Sequence, residues 1–573
     1  MSEQNKLTRR DFIKGAAALS ASVATAGLLT NTAQAAAPIP TKWDKEVDVV
    51  VVGAGVGMAA AIEAKTAGAD VVVVEKGDHV GGLWMTAGGS CSMGGNNVVQ
   101  QRDGVKDDDE AWYQDEMWAS EYRGQPEIMR ALIARGAETI KWMQDLGIVW
   151  APIAAGVLRP PIKRGVQPAQ APGVYAGGLG TPNSGICWTQ VWEKKLKAQG
   201  VPILLKHRMT RIYRDGTGPV VGIEIKNETG TINVKARKGV ILCAGTWTDN
   251  NRMAQAWDPR IVGPDTYGDG GTPADGKLYV DSSGDGHLAA AEVGAGFSDM
   301  SFVSYIYLFY GSRSYWGWGA DPVDWTTNKN YAAGKGLPRT ADFFQRVILV
   351  KNDGARWINE AEGAKPSVPG RGGWSEWPEW PYTSGYLSLP QPRNVWAVAD
   401  ADTAAALKWP IEDMKKANPK VGLMFDPACL AIADSLEELG KKIGVDPAKL
   451  QETINKYNGF VDAGKDTDFG KPMPLSKIAK PPFYAAKASV IRHTQRNGLR
   501  VNTKSQVLEQ ADQMNGQKAV SIDQEKTIPH LYAAGELGNA LGWRRVHNSL
   551  GHYTTAARIA GENAAKETGL PSI

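Results

Sequence analysis

The apolar pattern of the chain first sharpens at Val47. Val47-Asp48-Val49-Val50-Val51-Val52 has the length and β-branched content of a buried strand, and it stops at Gly53-Ala54-Gly55-Val56-Gly57. Met58 to Gly68 is rich in helix formers and free of proline. Val71 to Val74 is a second apolar strand, ending on Glu75. The same pattern returns twice. Lys238 to Thr246 contains a strand that stops at Ala244-Gly245, and Leu531 to Ala534 is one that stops at Gly535-Glu536. Asn548-Ser549-Leu550 then leads into a small-residue helix that reaches Gly561. The stretch from Tyr315 to Tyr382 differs: Gly and Pro interleave its aromatics, so it reads as loops.

Strand, glycine turn, helix, strand and acid in this order predict a dinucleotide site. The glycines Gly53, Gly55 and Gly57 let the backbone approach a pyrophosphate, whose charge sits at a helix N-terminus. Glu75 can accept hydrogen bonds from ribose hydroxyls. The spacing is Gly-x-Gly-x-Gly, one residue short of the usual form, which predicts a tighter loop. FAD is preferred to NAD because more glycine follows. Gly81-Gly82 and Gly88-Gly89 allow the chain to lie against a flat ring system. Ala244-Gly245, Gly535-Glu536 and Asn548-Ser549-Leu550 bring late parts of the chain to the same cofactor. A cofactor touched by both ends of a chain is long and buried. Lys76 and Asp285 complete the set of candidate cofactor-binding residues.

Composition narrows the class. Glycine is 65 of 573 residues, above the roughly 7% of an average protein. Tryptophan is 20, and eight of these lie from Trp316 to Trp396. Lys and Arg total 64 against 61 Asp and Glu, so no excess positive charge is available for a nucleic-acid backbone. The cysteines Cys91, Cys187, Cys243 and Cys429 form no CxxC or CxxCH, which supports neither a zinc site nor covalent haem, and no metal is expected. Two disulfides and buried free thiols both remain open. Thr8-Arg9-Arg10-Asp11-Phe12-Ile13-Lys14, a weakly apolar run from Gly15 to Leu29 and Ala33-Gln34-Ala35 form a twin-arginine signal layout over residues 1–35. The run is too short and too weak to span a bilayer core of about 30 Å. Export as folded cargo to the periplasm is expected, with no integral membrane span.

These residues carry a resemblance. Glycine motifs, Ala244-Gly245-Thr246-Trp247, Gly284-Asp285-Gly286, Asn359-Glu360, Tyr457-Asn458-Gly459, Asp466 to Gly470, Pro482-Phe483-Tyr484 and Ala533 to Ile559 occur in one order. Together they resemble the fumarate reductase/succinate dehydrogenase flavoprotein superfamily, which includes periplasmic enoate reductases and 3-ketosteroid dehydrogenases. The resemblance implies an α/β fold: a Rossmann-like FAD-binding domain at 45–286 and 490–573, with an α+β cap, or substrate, domain inserted at 287–489. It also implies an active site between the two.

The family's catalytic residues carry over in part. Arg544, in Trp543-Arg544-Arg545-Val546-His547-Asn548, falls on the substrate-carboxylate arginine, whose fork suits bidentate binding. His493, in Arg492-His493-Thr494, falls on a substrate hydrogen-bond donor. The family's other histidine is absent near Tyr305 to Phe309, and its donor arginine is absent near Ala364, where Lys365 is adjacent. Tyr305, Tyr307 and Lys365 are therefore the candidates for proton transfer, and Tyr484 of the Phe-Tyr-Ala motif is the candidate for holding a ketone.

The expectation is a periplasmic FAD-dependent oxidoreductase that reduces a carbon–carbon double bond conjugated to a carbonyl or carboxylate. Its substrate carries an aromatic or cyclic group, since a dicarboxylate clamp is missing and the cap is rich in aromatics. Electrons are expected from a separate partner, a c-type cytochrome or a quinol-linked protein. Two alternatives stand beside it: 1,2-desaturation of a cyclic ketone as in 3-ketosteroid dehydrogenases, and a flavin electron-relay subunit. The tryptophan-rich loops are open to three uses: a substrate pocket, a subunit interface, or packing within the cap.

Overall fold

The computed structural model describes residues 38–85, 87, 89–120, 122–154, 162–169, 184–263, 266–268, 281–298, 300, 303–309, 341–361, 381–407, 409, 411, 430–495, 497–510, 521–538 and 549–571. These residues form a mixed α/β structure organised on two large sheets.

The first sheet has eight strands. Its main path runs Gln506–Leu508, Thr527–Ala533, Gly230–Leu242, Lys45–Val52, Val71–Val74 and Ile203–Leu204, with Arg208–Arg214 and Val220–Asn227 branching from Gly230–Leu242. The pairs from Thr527–Ala533 to Ile203–Leu204 are all parallel. Such strands are covered on both faces, which is why Val49 to Val52 and Val71 to Val74 read as continuous apolar runs and are buried. Helices Gly57–Thr66 and Leu550–Lys566 cover the sheet and lie against each other. Their approach is so close that a Cβ on Gly561 would run into the carbonyl of Ala60. Arg558 joins this layer to helix Pro126–Asp145, bonding Glu63 and Glu138, each at 2.7 Å.

The second sheet has six strands built on Phe483–Gln495. The first half of that strand pairs antiparallel with Trp396–Ala399 and Leu430–Ala433. The second half pairs antiparallel with Val303–Phe309 and parallel with Thr266–Gly268. The long strand thus starts in this sheet's own core and ends beside the first sheet's glycine turns.

A buried ionic group sits beneath the second sheet. Arg356 bonds Glu360 at 2.6 Å and Asp466 at 3.0 Å, Lys471 lies 3.5 Å from Glu360, and Arg356 also faces the rings of Tyr457 and Phe469. Asn359-Glu360, Tyr457 and Asp466 to Phe469, separated by about a hundred positions in sequence, meet here as internal structure.

Cys91, Cys187 and Cys243 are free and buried, so the thiol reading holds for these three; Cys429 lies outside the described residues. Among the described residues no helix is long and apolar enough to cross a membrane.

Candidate functional site

Strand Lys45–Val52 ends in a turn that only glycine permits. Gly53 has φ +101°, and a Cβ there would strike the carbonyl oxygen of Cys243. At Gly57 a Cβ would lie 2.9 Å from Val51 Cγ1, so this glycine allows the helix to seat on the strand it follows. The helix begins at Gly57, and the amides of a first helical turn have no intrahelical partner. Here the Met58 and Ala59 amides bond back to the Gly55 and Val56 carbonyls at 3.1 and 2.9 Å, which tightens the glycine turn ahead of the helix at the sheet's C-terminal edge.

Glu75 ends strand Val71–Val74 beside this turn. Its Oε2 accepts from the Ala54 amide at 2.8 Å and its Oε1 from the Gly77 amide at 2.8 Å. It therefore fixes the turn's backbone as well as presenting a carboxylate, whose two oxygens offer about four acceptor sites in all. Lys76 bonds Ser283 at 2.8 Å, Asp281 at 3.2 Å and Asp285 at 3.3 Å. Arg208 joins them, 2.6 Å from Asp285. Burial raises the Asp285 carboxyl, but Lys76 and Arg208 outweigh it and hold the group below its usual value.

Three further glycine segments converge on the turn. The Gly81 amide donates to the Ala54 carbonyl at 2.8 Å, and a Cβ on Gly55 would meet Gly81 and Trp84. Gly82 opens a short helical turn, Gly82–Met85. A Cβ on Gly535, φ +73°, would lie 2.8 Å from Val56 Cγ1. Gly245 also has φ +73°, and the Ala244 Cβ lies 3.1 Å from where a Cβ on Gly286 would stand. Ser549 occupies the N-cap position of helix Leu550–Lys566, without a side-chain cap bond. Gly88 and Asn548 lie outside the described residues.

Around the Gly81–Gly89 loop the tryptophans cluster. Trp84 stands 4.9 Å from Trp192 and 5.5 Å from Trp188, which stands 5.6 Å from Trp150, ring centre to ring centre. The expected stretch is a different one: of its eight tryptophans only Trp357 and Trp396 fall among the described residues.

The catalytic candidates fall into three groups. His493 and Tyr305 come together in the backbone. Val303 opposes Gln495, Ser304 opposes Thr494 and Tyr305 opposes Arg492, so His493 is the extra residue of a β-bulge. Bulges recur beside active sites because they re-aim the chain. Tyr307 opposes Val490 further along the same ladder. Tyr484 stands apart. It is buried, packs 6.3 Å from Trp409, and precedes His493 by nine residues on an extended strand, a span of about 30 Å. Arg544 and Lys365 lie outside the described residues.

Two buried residues escaped the sequence reading, His287 and Gln495, while Thr246 was read only as part of the Ala244–Trp247 motif. Burial pushes the His287 imidazole down to about 3, so it is neutral at ordinary pH. No motif includes His287 or Gln495; Thr246 and Gln495 belong to segments that meet only in space.

The family model described as FAD binding domain matches residues 48–306 and 332–548. The chain belongs to that family. FAD is its cofactor and it is an FAD-dependent oxidoreductase of the fumarate reductase/succinate dehydrogenase flavoprotein superfamily. This FAD-binding protein is 28% identical to urocanate reductase of Eggerthella lenta over 548 residues, covering 92% of this chain and 76% of that one. It is 27% identical to digoxin reductase of the same organism, covering 97% and 96% of the two chains. In fold it is similar to the open conformation of a flavocytochrome c3 fumarate reductase, with a TM-score of 0.65 over 99% of this chain and 82% of that one, at 23% identity.

The residues fit FAD. The Gly53–Gly57 cradle suits the pyrophosphate, Glu75 beside it suits ribose hydroxyls, and the glycines of four segments leave backbone rather than side chains around one path.

Proposed function

We propose that this FAD-dependent enzyme reduces a carbon–carbon double bond conjugated to a carbonyl or carboxylate, on a substrate with an aromatic or cyclic group. The Rossmann-like FAD-binding domain spans 45–286 and 490–573 in this reading, and 287–489 forms the inserted cap over the substrate. The names of the relatives support the reaction class: one reduces urocanate, another digoxin.

The observation that carries the reading is the bulge at His493. It lies two residues before Gln495, whose side chain bonds the Gly535–Glu536 turn. FAD, when bound, supplies hydride chemistry at the flavin N5. The chain supplies the rest. Arg544 and His493 hold the carbonyl or carboxylate, so that charge developing there is stabilised. Tyr305, Tyr307 or Lys365 delivers the proton to the neighbouring carbon. Only one residue of the family's dicarboxylate clamp has an arginine counterpart here, which favours a larger, less charged substrate. The twin-arginine layout supports export to the periplasm, where a c-type cytochrome or quinol-linked protein would supply electrons.

The test is kinetic. His493→Ala and Arg544→Ala are each expected to lower kcat/KM on the order of a hundredfold while FAD content is kept. Wild-type kcat/KM in both variants would remove the proposed anchors.

A further inference from the structure

The bulge at His493 needs fixing on both sides. A strand that slips by one residue turns every side chain to the opposite face, so an extra residue is useful only where its register is pinned. On one side the pin is Arg492, 1% exposed. Its Nε donates to the Thr248 carbonyl at 2.7 Å, Nη1 to the Ile261 carbonyl at 2.7 Å and Nη2 to Asn251 Oδ1 at 2.8 Å.

On the other side is Gln495, with no exposed surface. Its Nε2 donates to the Glu536 carbonyl at 2.6 Å, and its Oε1 accepts from Thr246 Oγ1 at 3.3 Å. Room for it depends on Gly498, where a Cβ would lie 2.9 Å from Gln495 Nε2 and would also run into the Leu537 carbonyl. Thr246 follows Gly245 and Glu536 follows Gly535. One amide therefore spans both glycine turns.

We propose that Gln495 is a positioning residue: it ties the Gly245–Thr246 and Gly535–Glu536 turns, which face FAD, to the strand that carries His493. The inference rests on the reading of the site given above. Its chemistry needs a group that both donates and accepts at one end of a linear side chain. Glutamine does so. Methionine has the shape without the hydrogen bonds, so the amide's links to the Glu536 carbonyl and the Thr246 hydroxyl are lost in a buried place. Glutamate would set a carboxylate against the Glu536 carbonyl. Losing the tie frees the two turns to move independently, and FAD would then sit in an altered field.

The experiment is Gln495→Met in the full-length holoenzyme, with Thr246→Val beside it. The readouts are the FAD dissociation constant, the visible spectrum of the bound flavin and its midpoint potential. Q495M is expected to bind FAD about tenfold more weakly and to shift both spectrum and potential. T246V, which loses one arm of the tie, is expected to shift them in the same direction by less. An FAD affinity, spectrum and potential equal to wild type in Q495M would overturn the proposal, as would a loss of thermal stability with unchanged flavin properties. Should Q495M not fold, T246V decides by the same three readouts. Failure of the functional reading is a separate outcome: a wild-type protein that holds FAD but reduces no enoate or enone contradicts that reading, and the flavin readouts still judge Gln495.

Discussion

The indole of Trp188 donates its N–H to the main-chain carbonyl of Gly89 at 3.0 Å. Gly89 has φ +69° and closes the loop that began at Gly81. Trp188 is wholly buried on helix Ser184–Ala198 and its ring packs on Trp84 of the same loop. The helix thus grips the loop at both ends. Trp188→Phe keeps most of the ring packing and loses the hydrogen bond. It is expected to cost about 1 kcal/mol in urea unfolding, whereas Trp188→Ala should cost about 3–5 kcal/mol. A Trp188→Phe variant as stable as wild type would mean that packing alone holds the loop, and equal losses in the two variants would mean that the hydrogen bond alone does.

Gly53→Ala should abolish FAD binding. The new Cβ would meet the Cys243 carbonyl, and φ +101° is closed to alanine. The check is the flavin-to-protein absorbance ratio of the purified variant, followed by titration with FAD. A variant that refills with wild-type affinity would contradict the cradle.

The buried ionic group of the second sheet offers a stability test. Glu360 has no exposed surface, and burial that would raise its carboxyl is overcome by Lys471 and Arg356, which hold it below the usual value. Glu360→Gln leaves two buried cations facing Asp466 alone and should destabilise by about 3–5 kcal/mol. Chemical unfolding measures this, and a loss under about 1 kcal/mol would mean that water reaches the cluster.

His287 should leave a mark on the pH dependence of stability. Burial lowers its imidazole from 6.5 to about 3. Between those values the unfolded chain binds a proton that the folded protein does not. Stability therefore falls as pH drops through that window, by at most about 1.4 kcal/mol per pH unit from this group. His287→Gln cannot take up that proton. The stability of wild type relative to H287Q should be constant above about pH 7 and decline steadily towards about pH 5. A difference that does not change with pH would show that the imidazole is solvated.

Local chemistry was the legible part of this sequence. Lys45–Val52, the Gly53–Gly57 turn and the helix after it follow one another within two dozen residues, so apolar run, glycine and helix formers declare them directly. Glu75 was legible as an acid but not as the clasp of Ala54 and Gly77, because its partners are backbone amides that carry no residue code. Lys76 and Asp285 were each read as cofactor residues; their pairing across more than two hundred positions shows only in three dimensions. The tryptophan excess pointed to Trp316–Trp396, most of which lies outside the described residues; the cluster Trp84, Trp150, Trp188 and Trp192 is spread too widely for composition to reveal. The bulge at His493 was invisible for a related reason: it exists only as a mismatch between two strands whose pairing joins residues 303–309 to 488–495.

Carbon–carbon double-bond reduction is tested most directly by the flavin itself. The holoenzyme is reduced anaerobically with dithionite and mixed with urocanate, cinnamate, a cyclic enone and fumarate, and the return of oxidised-flavin absorbance is followed by stopped flow. Rapid re-oxidation by at least one aromatic or cyclic substrate, faster than by fumarate, is expected. No re-oxidation by any of them, together with bleaching of the oxidised flavin by a saturated cyclic ketone, would contradict the proposal and favour a dehydrogenase.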